Sequence, residues 1–406
     1  MANRHLSADS RWLLVLLAAL VALGPLSVDM YLPAMPAMRA ALDTSVGNIQ
    51  LTLSTYLAGF AIFHLVCGPL ADRYGRKPVI TSGTLLFVLG CVGCSLATTV
   101  EELLLYRFLQ GVGACVGPTL ARTITRDLFG PRRAARALSL IAMLMALAPA
   151  VAPSLGGLLM LVFPWPSIFI FLGVYGALVV LLVQRYLGES LPAPQSLHPR
   201  TILRNYSTLL RSGPFMTVVT SSSLVYAGLM VYLASSGFVY LEMLNVPVLY
   251  FGPIFLTTVA GYISGSALSA RLAGRLESPR VLLLGTVLAA AASVCMGAAA
   301  TVFPHSVLAL MLPMMLYTAG LGLTLPHAMS LALLPYPQMA GTASALLGFI
   351  QMAIAAAAGA LVSLFLVDSP RPMLVSMALL ALAALALGQK ARRLHFTVPE
   401  QAPQRQ

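Results

Sequence analysis

The stretch VLLLGTVLAAAASVCMGAAATVFPHSVLALMLPMMLYTAG (281–320), continued by LGLTLPHAMSLALLPYPQMAGTASALLGFIQMAIAAAAGALVSLFLV (321–367), decides the fold. Its 87 residues contain no Asp, Glu, Lys or Arg. A helix rises about 1.5 Å per residue and crosses a hydrocarbon layer of about 30 Å in roughly 20 residues. A charge-free run of this length is therefore several membrane spans in succession. Outward from it the composition agrees: 59% of the 406 residues are hydrophobic and 9% charged, with a mean hydropathy of +0.89. Soluble chains carry about a quarter of their residues charged, so a soluble enzyme is excluded.

Apolar stretches of spanning length number twelve. The first six cover roughly 12–33, 48–69, 78–97, 102–125, 135–161 and 167–187, and the second six 213–240, 248–271, 279–300, 306–334, 338–367 and 372–388. A polar, proline-bearing segment at 188–212 separates them. Open-ended elements that satisfy their own backbone in lipid are helices, and barrel-type alternation is absent. The expected architecture is an all-α membrane protein with twelve transmembrane helices in two six-helix bundles: 1–187, a cytoplasmic linker loop at 188–212, and 213–406 with a tail.

Charge placement orients the chain. Twenty-one of the 24 basic residues lie at the two termini and in the loops after spans 2, 4, 6 and 8; the others are Arg39, Arg107 and Arg371. Lys and Arg accumulate on the cytoplasmic side, so both termini are expected there. The net charge of +12 is thereby a topology signal, and nucleic acid is not needed to explain it. The basic N-terminus and first apolar run continue too far for the short core of a signal peptide, which makes them a retained span 1. Trp12 and Trp165, the two tryptophans, fall at expected interfaces.

Five cysteines, at 67, 91, 94, 115 and 295, give neither a disulfide framework nor zinc spacing. Cys91 and Cys94 lie mid-span and read as small packing residues. His64 and His327, near the cytoplasmic ends of spans 2 and 10, read as packing or interface histidines. Glu242 at the outer end of span 7 carries no assignment.

Charges inside spans are costly, and functional by default. Asp29 sits in SVDMYLPAMP (27–36) of span 1, with apolar residues on both sides. Its carboxyl suits proton exchange if buried; an interfacial position or a cap at the Pro33 break is the alternative. Arg107, about five residues into span 4, shares the outer half of the membrane with Asp29, which permits a link. Snorkelling of its long stem to the surface competes with that reading. Tyr31, Tyr56, Phe238 and Tyr240 are candidates for an aromatic pocket, although aromatic residues in spans more often pack.

The loop after span 2 reads GPLADRYGRKP (68–78). This resembles the G-x-L-a-D-r-x-G-r-k pattern of the major facilitator superfamily. Arg107-Phe108-Leu109-Gln110-Gly111-Val112-Gly113 is similar to the R-x-x-Q-G-x-G segment of its proton-coupled drug exporters. Ala148-Pro149-Ala150-Val151-Ala152-Pro153-Ser154-Leu155-Gly156-Gly157 resembles their antiporter motif, with Ala148 and Ala152 replacing two glycines. That variant and the DMYLPAMP string at 29–36 resemble the bicyclomycin/chloramphenicol-resistance (Bcr/CflA) branch.

The resemblance implies proton-driven efflux of small amphipathic drugs or metabolites across the bacterial inner membrane, by a multi-pass antiporter working as a single chain. It makes Asp29 the proton and substrate carboxylate and Arg107 the coupling residue. It places Gly68, Asp72, Arg73, Gly75, Arg76, Gly111, Pro149, Pro153, Gly156 and Gly157 in the conformational switch. The expected partners are protons, a small-molecule substrate and the bilayer. No cofactor is implied, and no P-loop supports direct ATP drive. A proton-coupled importer or a facilitator shares the same fold and is the alternative.

Overall fold

A computed structural model describes residues 11–191, 199–365, 369–394 and 396. The extreme termini, whose charge was used for orientation, and the end of expected span 11 lie outside the described residues. The described chain is helical apart from short connections and an isolated bridge between Ala273 and Leu276. Its helices are α1 (Arg11–Asp29), α2 (Met35–Ala41), α3 (Val46–Tyr74), α4 (Arg76–Leu96), α5 (Val100–Ala114), α6 (Val116–Val162), α7 (Pro166–Tyr186), α8 (Pro199–Arg211), α9 (Gly213–Gly237), α10 (Val248–Leu272), α11 (Ser278–Val302), α12 (Val307–Leu333), α13 (Ala340–Ser363) and α14 (Arg371–Arg392). Eleven helical stretches among the described residues are long and apolar enough to cross a membrane, and Ala148–Val162 is a shorter apolar helix.

That shorter helix belongs to α6, whose 47 residues would extend about 70 Å if straight. Gly117 near its start packs on the Leu20 carbonyl and Gly156 near its end on the Met30 carbonyl. Those two carbonyls are about 15 Å apart along α1. Hence α6 is not a straight rod; it carries the end of expected span 4 and the whole of expected span 5.

The helices show lipid on one face and core on the other. On α4, Leu85, Leu89, Val92 and Leu96 recur every three or four residues and are exposed, while Ile80, Phe87, Cys91 and Cys94 are buried. This stripe is what a helix packed in a bundle presents to acyl chains. Trp12 is exposed as an interfacial tryptophan should be, but Trp165 turns inward and stands edge-on to Phe169, 6.1 Å between centroids. All five cysteines are free thiols; Cys67, Cys91, Cys94 and Cys115 are buried and Cys295 on α11 is exposed.

Helices α1–α7 pack among themselves, as do α9–α14, and two long seams join the groups, α3 against α13 and α6 against α10. Along the first seam, close approach is set in turn by Gly47 on the Ser363 carbonyl, Gly359 on Ser54, and Gly348 on the His64 ring. His64 is thus an interface histidine, with Cys115 Sγ 3.6 Å from Nδ1. Segment 188–212, expected as a loop, contains the 13-residue helix α8. Its apolar residues Ile202, Tyr206 and Leu209 recur at helical spacing, which gives it a face to bury.

Candidate functional site

Asp29 ends α1 because the next turns cannot continue its ladder. Pro33 and Pro36 lack the N–H groups that would bond the carbonyls of Asp29 and Leu32. The chain instead passes through a short 3-10 turn at Leu32–Ala34 before α2 resumes. From Trp12 to Asp29 is about 26 Å of helix, so the carboxylate lies near the end of the span opposite Trp12. It is 6% exposed.

Arg107 packs directly beneath this break. It is fully buried, so its guanidinium does not snorkel. Its Nη1 donates to the Ser27 carbonyl at 3.2 Å and to Gln110 Oε1 at 2.6 Å. Ser27 belongs to the last turn of α1, where carbonyls lack helical partners and the helix dipole is negative; the cation caps that end. The same guanidinium lies over the rings of Tyr31 at 4.5 Å, Tyr56 at 4.6 Å and Phe169 at 5.8 Å. Its Nε and Nη2 have no hydrogen-bond partner, and the aromatic faces supply their electrostatic compensation. Among the described residues no ion pair joins Arg107 to Asp29. The link between them runs through the backbone of α1.

The four aromatic candidates are all buried. The Tyr31 hydroxyl bonds to the Ile49 carbonyl at 3.0 Å and to Thr52, and that of Tyr56 to the Gly24 carbonyl at 3.4 Å. Tyr240 meets Tyr232, hydroxyl to hydroxyl, at 2.9 Å. Phe238 opens the π-helical turn Phe238–Met243 that ends span 7. Tyr31 and Tyr56 therefore build the cage of Arg107. A further tyrosine, Tyr226 of α9, lies near enough to Asp29 and to Tyr262 of α10 for their charges to act on it. Neither tyrosine stands out in sequence, because each lies in an apolar span without a charged neighbour.

Gly156 is where α6 meets the break. A Cβ there would collide with the Met30 carbonyl, whereas one on Gly157 would reach the Val248 carbonyl of α10 at 3.2 Å. Gly111 packs in the same way on the Tyr56 backbone. Pro149 and Pro153 lie in α6 upstream of these glycines, where each removes one backbone donor.

At the opposite end of α3, Arg76 is buried and pairs with Asp72 and, at 3.3 Å, with Asp127. The backbone N–H groups of Arg76 and Lys77, at the start of α4, donate to Glu189 at 2.9 and 3.1 Å. A carboxylate at a helix N-terminus is favoured by the unpaired amides and the dipole. Gly75 between them has φ +101°, a conformation open to glycine alone at little cost. Gly68 has open space around it, and Arg73 is exposed over the Tyr74 ring at 5.5 Å. Asp127 and Glu189 were missed in sequence because each stands alone, remote from the 68–78 pattern.

At the Asp29 end of the bundle the two groups are in direct contact. Gln50 Nε2 donates to Ser235 Oγ at 3.1 Å and to the Ala234 carbonyl at 3.3 Å. Arg39 pairs with Glu242 at 3.1 Å, and Gly237 lies against the Leu32 carbonyl. Among the described residues, no group of three or more His, Cys, Asp or Glu side chains is placed to hold a metal.

The sequence profile of the Major Facilitator Superfamily matches residues 17–360. The chain belongs to the Major Facilitator Superfamily. As a member it is a multi-pass membrane transporter, not an enzyme. It is 35% identical over 335 residues to the multidrug resistance protein MdtL of Escherichia coli O157:H7, covering 82% of this chain and 84% of that one. It is 31% identical over 353 residues to the MFS-type transporter YdgK of Bacillus subtilis strain 168, covering 86% and 88%. Solved facilitator structures share the fold at low identity. A peptide transporter POT in complex with sulfate superposes with TM-score 0.76 at 16% identity, covering 93% of both chains. A D-xylose-proton symporter does so with TM-score 0.73 at 15% identity, covering 96% of this chain and 99% of that one.

Proposed function

We propose that this transporter exports small amphipathic drugs or metabolites across the bacterial inner membrane in exchange for protons. Twelve spans, with both termini in the cytoplasm, form two domains, 1–187 and 213–406, joined by 188–212. The observation that carries the reading is Asp29: a buried carboxylate at a helix break, without a cationic partner among the described residues. Kinship with MdtL, named a multidrug resistance protein, and the Bcr/CflA-like string at 29–36 favour drug-like cargo.

In this mechanism the halves rock about the α3–α13 and α6–α10 seams. From the outer side Asp29 takes a proton. From the inner side it gives that proton up as substrate enters, so proton and substrate compete for one carboxylate. Tyr226 and Tyr262 offer flat, weakly polar surface to neutral or cationic rings. Arg107 holds the end of α1 and so fixes where the carboxylate points. The Asp72–Arg76–Asp127 pairs and Glu189 hold the inner ends of α3 and α4 in one of the two states. Each proton moving down 100 mV supplies ~2.3 kcal/mol, and each pH unit adds ~1.4 kcal/mol.

The test uses inside-out vesicles with an acidified lumen and a lumenal pH dye, challenged with a panel of drugs, for wild type and Asp29→Asn. Proton release by some compound in wild type but not in the variant is expected. Equal, gradient-independent flux of labelled compound in both would replace antiport by facilitated diffusion, and co-directional movement of proton and compound would make the protein an importer.

A further inference from the structure

Helix α8 is held in place from two sides. Leu209 is buried in a cluster with Phe215, Val219, Ala332, Ala343 and Leu346, all from the C-terminal half. The Tyr206 hydroxyl donates to the Leu65 carbonyl of α3 at 3.0 Å. That carbonyl is available for a reason written in the sequence: residue 69, whose N–H would have bonded it, is proline. The helix therefore rides on one half and is tied by its tyrosine to the other. Burial pushes the Tyr206 phenol above its ordinary value, so it remains a donor throughout the physiological range.

The rest of α8 faces outward. At 100° per residue, Arg200, Arg204 and Arg211 fall within about 40° of one another, and Leu203 and Leu210 lie beside them on the side of Tyr206. All five are exposed. Among the described residues no carboxylate pairs with these arginines. Depth is fixed by α3: Ile62 and Val66, on either side of Leu65, are exposed apolar side chains of the lipid-facing kind. Tyr206 thus meets α3 where acyl chains give way to headgroups. A basic stripe adjoining exposed leucines at that depth has the character of an interfacial helix.

We propose that α8 binds the anionic phospholipid headgroups of the inner leaflet. Arg200, Arg204 and Arg211 take the phosphates, Leu203 and Leu210 enter the acyl boundary, and Tyr206 passes the hold to α3. Bound lipid then clamps the linker across the seam between the halves. The clamp does not depend on what is transported or on proton coupling.

The experiment is backbone hydrogen exchange of the 199–211 peptide in the full-length protein, in phosphatidylcholine nanodiscs with and without phosphatidylglycerol. Each arginine near an anionic surface contributes about a factor of five, so phosphatidylglycerol should slow exchange by up to a factor on the order of 100. The triple variant Arg200→Gln, Arg204→Gln, Arg211→Gln should lose that dependence, and the triple Lys variant should keep most of it. Tyr206→Phe should speed exchange a few-fold in both lipids. Peptides from α13 report that each variant is folded. Equal rates with and without phosphatidylglycerol, or a Gln variant as lipid-sensitive as wild type, would overturn the proposal. Equal slowing by millimolar inorganic phosphate in phosphatidylcholine discs would also overturn it, by assigning the arginines to a soluble anion.

Discussion

Replacing Gly156 by alanine places a methyl group where the Met30 carbonyl already stands. Nothing flexible can yield there, because the obstructing atom is backbone. Overpacking of this kind costs about 1–3 kcal/mol, while alanine returns up to about 1 kcal/mol of helix propensity. The net penalty, roughly 0–3 kcal/mol, falls on the turn that carries Asp29. Gly68→Ala is the matched control: it sits in open space within α3 and gains the propensity alone. Thermal unfolding of the purified proteins should rank Gly68→Ala at or above wild type and Gly156→Ala a few degrees below it. Transport by Gly156→Ala should fall further than its stability, because the displaced atoms adjoin the carboxylate. If Gly156→Ala matched wild type in both assays, or if Gly68→Ala were the more damaging, the close packing of α6 on the α1 break would not be what demands the glycine.

Two further substitutions probe the ends of the site. Arg107→Lys keeps the charge but loses the planar group that stacks between Tyr31 and Tyr56, and each lost stack is worth about 0.5–2 kcal/mol; a lower melting midpoint and impaired transport are expected, and an unchanged midpoint would show the cage to be incidental. Glu242→Arg sets two cations opposite each other at the outer seal. Both partners are about a third exposed, so the effect is at most about 1 kcal/mol. Maleimide labelling of a cysteine introduced at Ser235 should accelerate a few-fold, and the swap Arg39→Glu with Glu242→Arg should restore it.

The spans were legible because a membrane helix announces itself through length and absence of charge, and both properties survive in a single sequence. Asp29 and Arg107 stood out for the same reason, as charges where charge is expensive. Their relationship did not, since the cage around Arg107 draws Tyr31 from the turn after α1, Tyr56 from α3 and Phe169 from α7, and depends on how those elements are oriented. Tyr226 escaped notice because a tyrosine among apolar residues looks like packing. Helix α8 was hidden by the prolines and arginines of segment 188–212, which lower its mean hydropathy, although Ile202, Tyr206 and Leu209 already carried the helical spacing. Asp127 and Glu189 serve the same arginine loop from distant positions, a convergence that only folding reveals.

The distribution of thiols makes this chain unusually convenient to interrogate. Four cysteines are buried, and Cys295 is exposed within the apolar span of α11. A water-borne maleimide meets none of them readily in an intact bilayer. Reporter cysteines can consequently be introduced one at a time at positions 39, 235 or 242 without first stripping the native ones, and the opening of the outer end can be timed on protein whose interior packing is untouched.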